Sequence, residues 1–338
     1  MSALREALLA LLAEMGVRDI TEPIRLGGGS SQENWAFDAE LDTPDGPVHR
    51  PLLMRREPVG GVVDTARDME FGLLRALGET DLPTARVHLL DDGTRLERGA
   101  MIVDRLSGRA HRGVLRDTDP LGLGEESRLA LAHRLPVLLA AVHSLDIDAH
   151  GLTAILPVVA DPARAELDRW EGELNRVEFE AHPGLREVIA WLRERIPEPG
   201  PMRLVHGDFR PANVLVEGGE IAALLDWELA HLGDPHDDLG WYTCSVYRRE
   251  HFLDGRWTAA DFLNSWSECS GLDIDPARLH FWQAMSAFRL AVIALTAVRA
   301  FCDRTTDRPA GPTDMIERLA LRETGLLDAG PEAVRRFP

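Results

Sequence analysis

The sequence predicts an α+β chain of two lobes, a small mixed β-sheet lobe over residues 1–105 and a larger, mainly helical lobe over residues 106–338. Three observations predict it. Strand-like segments and two helical runs fill the chain up to Asp104, whereas beyond it apolar residues recur at helical spacing in run after run. Within that helical region, residues 204–241 break the pattern with short apolar runs that end on Asp or Asn. At 338 residues the chain is long enough to bury a large core in two such bodies.

The elements follow in order. SALREALLALLAEM over residues 2–15 reads as an amphipathic helix stopped by Gly16, because Arg5, Glu6 and Glu14 interrupt its apolar face at helical spacing. ITEPIRLGGGSSQENWAFDAEL and HRPLLMRREP read as strands around the turn TPDGP. DTARDMEFGLLRALGE is a helix with Met69, Leu73, Leu74 and Leu77 on one face, and ARVHLLDD and GAMIVDRL complete the strands. The long run ESRLALAHRLPVLLAAVHSL follows, in which Pro136 is expected to kink or interrupt the helix. Two further helices flank the breaker AHPG at 181–184, and AADFLNSWSECSG, ARLHFWQAMSAFRLAVIALTAVRAFC and a short segment near 313–327 close the list. RPAGPT at 308–313 is the expected mobile loop.

Composition removes several classes of function. A formal charge of −19 argues against nucleic acid, which needs basic phosphate contacts; it suits a cationic substrate, though solubility explains it as well. All 37 Lys-plus-Arg positions are Arg, so a Walker A loop and Schiff-base chemistry are excluded. Cys244, Cys269 and Cys302 form neither a zinc pattern nor an even disulfide set, which fits a reducing compartment. No run approaches 18 consecutive apolar residues, so no transmembrane helix, no membrane partner and a cytoplasmic location are expected.

The richest signal is LVHGDFRPANVLV followed by ALLDWELAHLGDPHDDLGW. Asn213 stands five residues after Asp208, and Asp226 thirteen further on. Phosphoryl transfer needs a carboxylate at the attacking hydroxyl and oxygen ligands for Mg²⁺ at the phosphates, which is the donor set offered here. The spacing Asp208-x-x-x-x-Asn213 matches the kinase catalytic loop, and Asp226-Trp-Glu228 stands where D-F-G would. On these residues the chain resembles the aminoglycoside phosphotransferase superfamily, which shares the protein-kinase-like fold and phosphorylates small molecules. HGDFRPAN and LLDWELAHLGDP look most like the branch fused to, or encoded near, acyl-CoA dehydrogenases and associated with hydroxy-acid substrates.

The resemblance implies roles residue by residue. Asp208 is the expected base or hydroxyl-orienting group, and Arg210 either adds positive charge at the transferring phosphoryl or salt-bridges the loop. Asn213 and Asp226 are the implied Mg²⁺ ligands, and His206 a brace for the loop. Glu228 has two equal readings, a second metal ligand or a cap of the next turn. The first lobe is then nucleotide-binding. The glycine-rich stretch after Gly27, with Gly28, Gly29, Ser30 and Ser31, would bring backbone N–H groups to ATP phosphates. The ATP-anchoring Lys of the fold is absent, and Arg55 takes its place with Glu70 as ion-pair partner; Arg56 competes but points to the opposite face of its strand. MIVDRLSG resembles the adenine-binding hinge, which by that match uses the Asp104 carbonyl and the Leu106 N–H. His231, Asp234, His236, Asp237 and Asp238 suggest a metal cluster at first glance, but Gly-Asp-Pro followed by Asp ahead of an apolar helix reads as turn and N-cap.

The expected activity is therefore ATP- and Mg²⁺-dependent phosphoryl transfer to the hydroxyl of a small molecule, with GTP as an alternative donor. A hydroxy acid or hydroxyacyl compound is favoured as acceptor, with an aminoglycoside or another antibiotic as the alternative. Protein acceptors are disfavoured because GDPHDDLGW follows Asp226 within fifteen residues, leaving no room for a long activation loop. The competing reading from another class is a nucleotide-binding pseudokinase or scaffold, whose support is the missing Lys. Trp170, Phe179, Trp266, Phe281, Trp282 and Phe288 are expected mostly in the core, with one or two free to line an apolar pocket.

Overall fold

The computed structural model describes residues 2–27, 32–43, 46–57, 65–304 and 313–326. Along the chain these form α1 (Ala3–Leu12), β1 (Val17–Ile20), β2 (Ile24–Arg25), β3 (Glu33–Thr43), β4 (Gly46–Arg56), α2 (Thr65–Leu77), β5 (Val87–Asp91) and β6 (Ala100–Asp104). Next come α3 (Glu125–His143), α4 (Pro162–Val177), α5 (Pro183–Arg193), β7 (Arg203–Val205), β8 (Val214–Glu217), β9 (Glu220–Leu224) and β10 (His231–Gly233). α6 (His236–Thr243), α7 (Arg248–His251), α8 (Ala259–Ser270), α9 (Pro276–Cys302) and α10 (Thr313–Glu323) complete the chain. Two compact units result, residues 1–109 with 214–228 and residues 110–213 with 229–338. The boundary read at 105/106 does not anticipate that the β8–β9 hairpin belongs with the first unit.

In the first unit an antiparallel sheet runs in the order β1-β3-β4-β6-β5, with β2 added beside β3. Period-two alternation sets its two faces. Phe37, Ala39, Leu52 and Met54 turn toward Leu8, Leu11 and Leu12 of α1 and are buried there, so Arg55 next to Met54 turns the other way. α1 starts at a Ser2 cap whose hydroxyl accepts from the Arg5 N–H, and the turn after it ends on Gly16 in the left-handed region. The β8–β9 hairpin is tied to the segment after β6. Arg109 and Val216 exchange backbone hydrogen bonds of 2.9 and 3.0 Å, and Ser107 Oγ donates to Glu217 Oε2 at 2.6 Å. Gly108 makes that approach possible: its φ is +115°, and a Cβ there would lie 2.8 Å from the Val216 carbonyl oxygen.

The second unit is built on α9. Pro276 occupies its first turn, and Asp275 caps it by accepting from the Ala277 and Arg278 N–H groups. α4, α5, α6 and α10 pack against it, and α6 comes so close that a Cβ on Gly240 would sit 2.5 Å from the backbone of Trp282. Against the expectation from apolar runs, α9 is long and apolar enough to cross a membrane. Its apolar residues, Phe281, Trp282, Met285, Phe288 and Val292 among them, instead fill the core of this unit. Of the six aromatics assigned mostly to the core, Phe179 alone is exposed. α3 continues through Pro136, so of the expected kink or interruption the interruption does not occur, and the helix packs along α8. Burial of Leu131, Leu135, Leu138 and Leu139 on its apolar face outweighs the single backbone bond that proline removes. The RPAGPT loop lies outside the described residues apart from Thr313.

Three buried charged groups and the half-buried His231 meet here. Arg289 Nη2 lies 3.1 Å from Asp237 Oδ1, and His231 Nε2 lies 3.4 Å from Asp237 Oδ2 while its Nδ1 donates to the Leu229 carbonyl at 3.0 Å. Glu166 joins them, accepting from Trp170 Nε1 at 3.1 Å. Although Glu166, His231 and Asp237 are close enough to chelate a cation, Arg289 and a protonated His231 already balance the two carboxylates. Burial opposes charge on His231, but Glu166 and Asp237 more than offset it and raise its pKa to about 9. A raised histidine pKa stabilises the fold fully below the ordinary value near 6.5, and that stability is lost as pH rises through about 9. Urea unfolding between pH 7 and pH 9 should therefore show a loss on the order of 2 kcal/mol, and His231→Gln should flatten that slope. A wild-type stability that does not change over this window would contradict the balanced cluster.

Candidate active site

β7 pairs antiparallel with β10, Leu204 opposite Leu232 and Val205 opposite His231. Immediately after β7 the backbone leaves the strand, and its next two N–H groups turn to a carboxylate. His206 N–H donates to Asp238 Oδ2 at 2.7 Å and Gly207 N–H to Asp238 Oδ1 at 2.8 Å. Asp238 is fully buried in the first turn of α6, where the helix dipole favours a negative charge. His143 Nε2 lies 3.0 Å from Asp238 Oδ2, and Trp266 Nε1 donates to His143 Nδ1 at 3.1 Å. Since Nδ1 is thereby an acceptor, Nε2 carries the proton and donates to Asp238. Burial works against the Asp238 charge, but the hydrogen bonds from His143 and from the His206 N–H hold its pKa below the ordinary carboxylate range. Gly207 is required in this bend, with φ +80° and a would-be Cβ 2.4 Å from the Leu229 carbonyl oxygen.

This corrects the N-cap reading of the acidic run. Asp234 does cap, accepting from the His236 N–H at 2.9 Å, and it also takes Arg278 Nη1 at 2.6 Å and Trp282 Nε1 at 3.2 Å. Burial opposes its charge, yet the bonds from His236 and Arg278 bring its pKa down to about 2. Asp238 does something different, holding the loop from below. Sequence reasoning missed it, and missed His143, Trp266 and Trp241 with it. The available signal was spacing, since Asp238 and Trp241 stand three apart and share one face of α6.

The loop then closes on Asp208, whose residue is 8% exposed. Its N–H donates to His206 Nδ1 at 3.2 Å. Asn213 Nδ2 donates to Asp208 Oδ2 at 2.7 Å and to the Asp208 carbonyl at 2.9 Å, so the five-residue spacing places the two side chains in direct contact. Trp241 Nε1 donates to Asp208 Oδ1 at 2.8 Å, and Arg210 Nε lies 3.0 Å from the same oxygen. Behind Trp241 stands Arg289, its guanidinium carbon 4.2 Å from the indole centroid. Asp208, Arg210 and Asn213 are thus brought together within the second unit, each carboxylate oxygen of Asp208 held by at least one N–H.

The remaining expected residues lie in the first unit. Asp226 follows β9 with φ +68°, a left-handed conformation uncommon for a residue other than glycine. Beside it Trp227 is buried and donates to the Leu224 carbonyl at 3.1 Å, while Glu228 is exposed. Arg55 Nη1 lies 2.6 Å from Glu70 Oε1, the pairing read from the sequence. Arg56 has other partners, Glu33 Oε2 at 3.1 Å and the face of Trp35 at 5.5 Å. Burial disfavours charge on Glu33, yet hydrogen bonds from Arg98, Arg56 and Trp35 take its pKa down to about 2. Asp104 ends β6 opposite Leu52, with its carboxylate 2.6 Å from His88 Nε2, and Leu106 is half-buried two residues on. Gly28, Gly29, Ser30 and Ser31 lie outside the described residues.

Comparison with known proteins agrees with this frame. The model of the phosphotransferase enzyme family matches residues 24–273. Among curated proteins the chain is 29% identical over 294 residues to the probable acyl-CoA dehydrogenase IBR3 of Arabidopsis thaliana, covering 78% of this chain and 35% of that protein. It spans about a third or less of the length of the curated relatives it matches first. Among solved structures, a candidate aminoglycoside phosphotransferase from Ralstonia eutropha superposes with a TM-score of 0.72 at 23% identity, covering 95% of this chain and 96% of that one. The aminoglycoside phosphotransferase APH(4)-Ia, solved with AMP-PNP and hygromycin B, gives a TM-score of 0.61 at 15% identity, covering 98% and 100%. The fold is the kinase-like aminoglycoside phosphotransferase fold, as the motifs implied. The chain belongs to the phosphotransferase enzyme family, small-molecule kinases that transfer a phosphoryl group to a hydroxyl.

Proposed function

We propose that the chain transfers the γ-phosphoryl group of ATP to the hydroxyl of a hydroxy acid or hydroxyacyl compound, with Asp208 as the group that receives the hydroxyl. The observation that carries the reading is the fixed Asp208 carboxylate, with Asn213 on one oxygen and Trp241 on the other. An acceptor so restrained orients an incoming hydroxyl along one direction, takes up its proton during transfer, and needs little reorganisation in the transition state. Arg210, beside the same carboxylate, supports charge on the transferring group. Arg55, held by Glu70, is assigned to the nucleotide phosphates, and the Asp104 carbonyl and Leu106 N–H to the adenine edge. The backbone of Gly28, Gly29, Ser30 and Ser31 is assigned to covering the phosphates.

Asn213 and Asp226 would hold Mg²⁺. The donor chemistry fits, because Asn213 spends its amide nitrogen on Asp208 and keeps its oxygen for another partner, and hard oxygen donors in small number suit this ion. When bound, the ion neutralises charge on the phosphates. The hydroxyacyl reading is supported by the acyl-CoA dehydrogenase names of the curated relatives. An antibiotic acceptor is the other reading, supported by the hygromycin B complex of APH(4)-Ia.

Three outcomes are expected with Mg²⁺-ATP and hydroxyacyl acceptors. Asp208→Asn should lower turnover by ~10²-fold or more while leaving ATP affinity nearly intact, and full activity would remove Asp208 from the reaction. Asp226→Ala should abolish Mg²⁺-dependent nucleotide binding measured by calorimetry; an unchanged affinity would exclude it as a metal ligand. Trp241→Phe keeps an aromatic ring over Arg289 but deletes the indole N–H. It should lower kcat roughly tenfold, the scale of one hydrogen bond to a charged group, with KM for ATP unchanged. A rise in KM without loss of kcat would mean that Trp241 does not position Asp208.

A further inference from the structure

Beside the Asp208 loop, the second unit carries a cluster of arginines that the transfer reaction itself does not use. Glu250, on α7, is buried, and its carboxylate holds two arginines from the segment after β6. Arg112 engages it through Nε, 3.3 Å from Oε2, and through Nη2, which donates to Oε1; Arg116 Nη2 donates to Oε1 at 2.7 Å. Glu250 is 8% exposed in its side chain, whereas Arg112 is 67% and Arg116 41% exposed. A buried anchor thus fixes two guanidinium groups that remain open to solvent, and Arg112 keeps Nη1 outside the pair. The hydrogen bond to Glu250 raises the Arg112 pKa, and the positive charge of Arg210 acts against it. Arg210 is the arginine beside Asp208, and Trp241, which donates to Asp208, packs its ring 5.5 Å from that of the buried Tyr247, three residues before Glu250.

Arg112 and Arg116 place two guanidinium groups on the single Glu250 carboxylate, so this cluster carries net positive charge in a chain whose net charge is −19. A polycationic acceptor would be repelled at this place, and an anion attracted. Planar, pre-oriented guanidinium groups suit carboxylate and phosphate oxygens in particular. We propose that Arg112 and Arg116, held in place by Glu250, form an anion-binding subsite next to Asp208, and that the phosphoryl acceptor carries a carboxylate or phosphate that docks there. The proposal rests on Asp208 being the hydroxyl-receiving group.

The test has a binding arm and a transfer arm, both on the full chain. In the first, coenzyme A and a medium-chain hydroxy acid are titrated calorimetrically without nucleotide against the wild type, Arg112→Gln, Arg116→Gln and Arg116→Lys, with circular dichroism confirming folding. Each Gln variant leaves Glu250 one arginine partner. Binding of at least one probe should weaken tenfold or more in the Gln variants, with partial recovery in Arg116→Lys. Tighter coenzyme A would identify phosphate as the docked group, and tighter hydroxy acid the carboxylate. Equal binding by wild type and Gln variants, or no binding of either probe, overturns the subsite whatever the transfer arm shows. In the second arm, transfer from Mg²⁺-ATP is followed to the free hydroxy acid, its coenzyme A thioester, its neutral methyl ester and hygromycin B. An anionic acceptor should be preferred, with KM and not kcat rising in the Gln variants. Preference for the neutral ester or for hygromycin B overturns the proposal while leaving the phosphotransferase reading intact. Arginine-dependent binding without transfer to any acceptor would keep the anion subsite but overturn the phosphotransferase reading and, with it, the docking of a phosphoryl acceptor there.

Discussion

The Asp238 carboxylate is the constraint on which the loop carrying Asp208 depends. It is fully buried, it takes the N–H groups of His206 and Gly207, and it receives the Nε2 proton of His143. A buried anion is costly unless hydrogen bonds hold both of its oxygens, and here backbone and imidazole donors do so. Because two of those donors belong to consecutive residues of the chain, the bend between β7 and Asp208 has one arrangement. Trp266 on His143 sets the tautomer that makes the third donor available. The loop carrying Asp208 is thus fixed from α3, α6 and α8.

A second buried group meets Asp208 from the other side. Trp241 lies three residues after Asp238 on the same helix, so the element that anchors the loop backbone also supplies the N–H that orients the Asp208 side chain. Arg289 lies over the Trp241 ring and is itself neutralised by Asp237, one residue before Asp238. The run HDDLGW therefore serves loop, core and ion cluster through successive residues of one short helix. Such economy explains why Gly240 cannot carry a side chain, since α6 must lie directly on α9 for Trp241 to reach Arg289.

The sequence was legible where function imposes a fixed spacing. Asp208 and Asn213 were found from five residues of separation, and their contact is a local consequence of the turn between them. The Arg55–Glu70 pair was found through the resemblance, Arg55 standing in the strand position where the family has its Lys and Glu70 in the following helix. What could not be read is long-range. His143, Trp266 and Asp238 lie far apart in sequence, and no local pattern links an imidazole in α3 to a carboxylate in α6. Asp238 was misjudged because an Asp near a helix start is ordinarily a cap, whereas here Asp234 does that work. The grouping of the β8–β9 hairpin with the first unit is likewise long-range, since its bonds to Arg109 and Ser107 span about a hundred residues. Pro136 shows the converse limit, a local rule overridden by packing.

The most direct measurement of the account's central claim is amide hydrogen exchange at His206 and Gly207, compared between the wild type and Asp238→Asn. A carboxylate that holds both N–H groups should make them exchange as slowly as the core amides of α9, and its replacement by an amide should speed both well before the rest of the unit is affected. Fast exchange at these two amides in the wild type, or protection unchanged in the variant, would contradict the claim that Asp238 fixes the loop carrying Asp208.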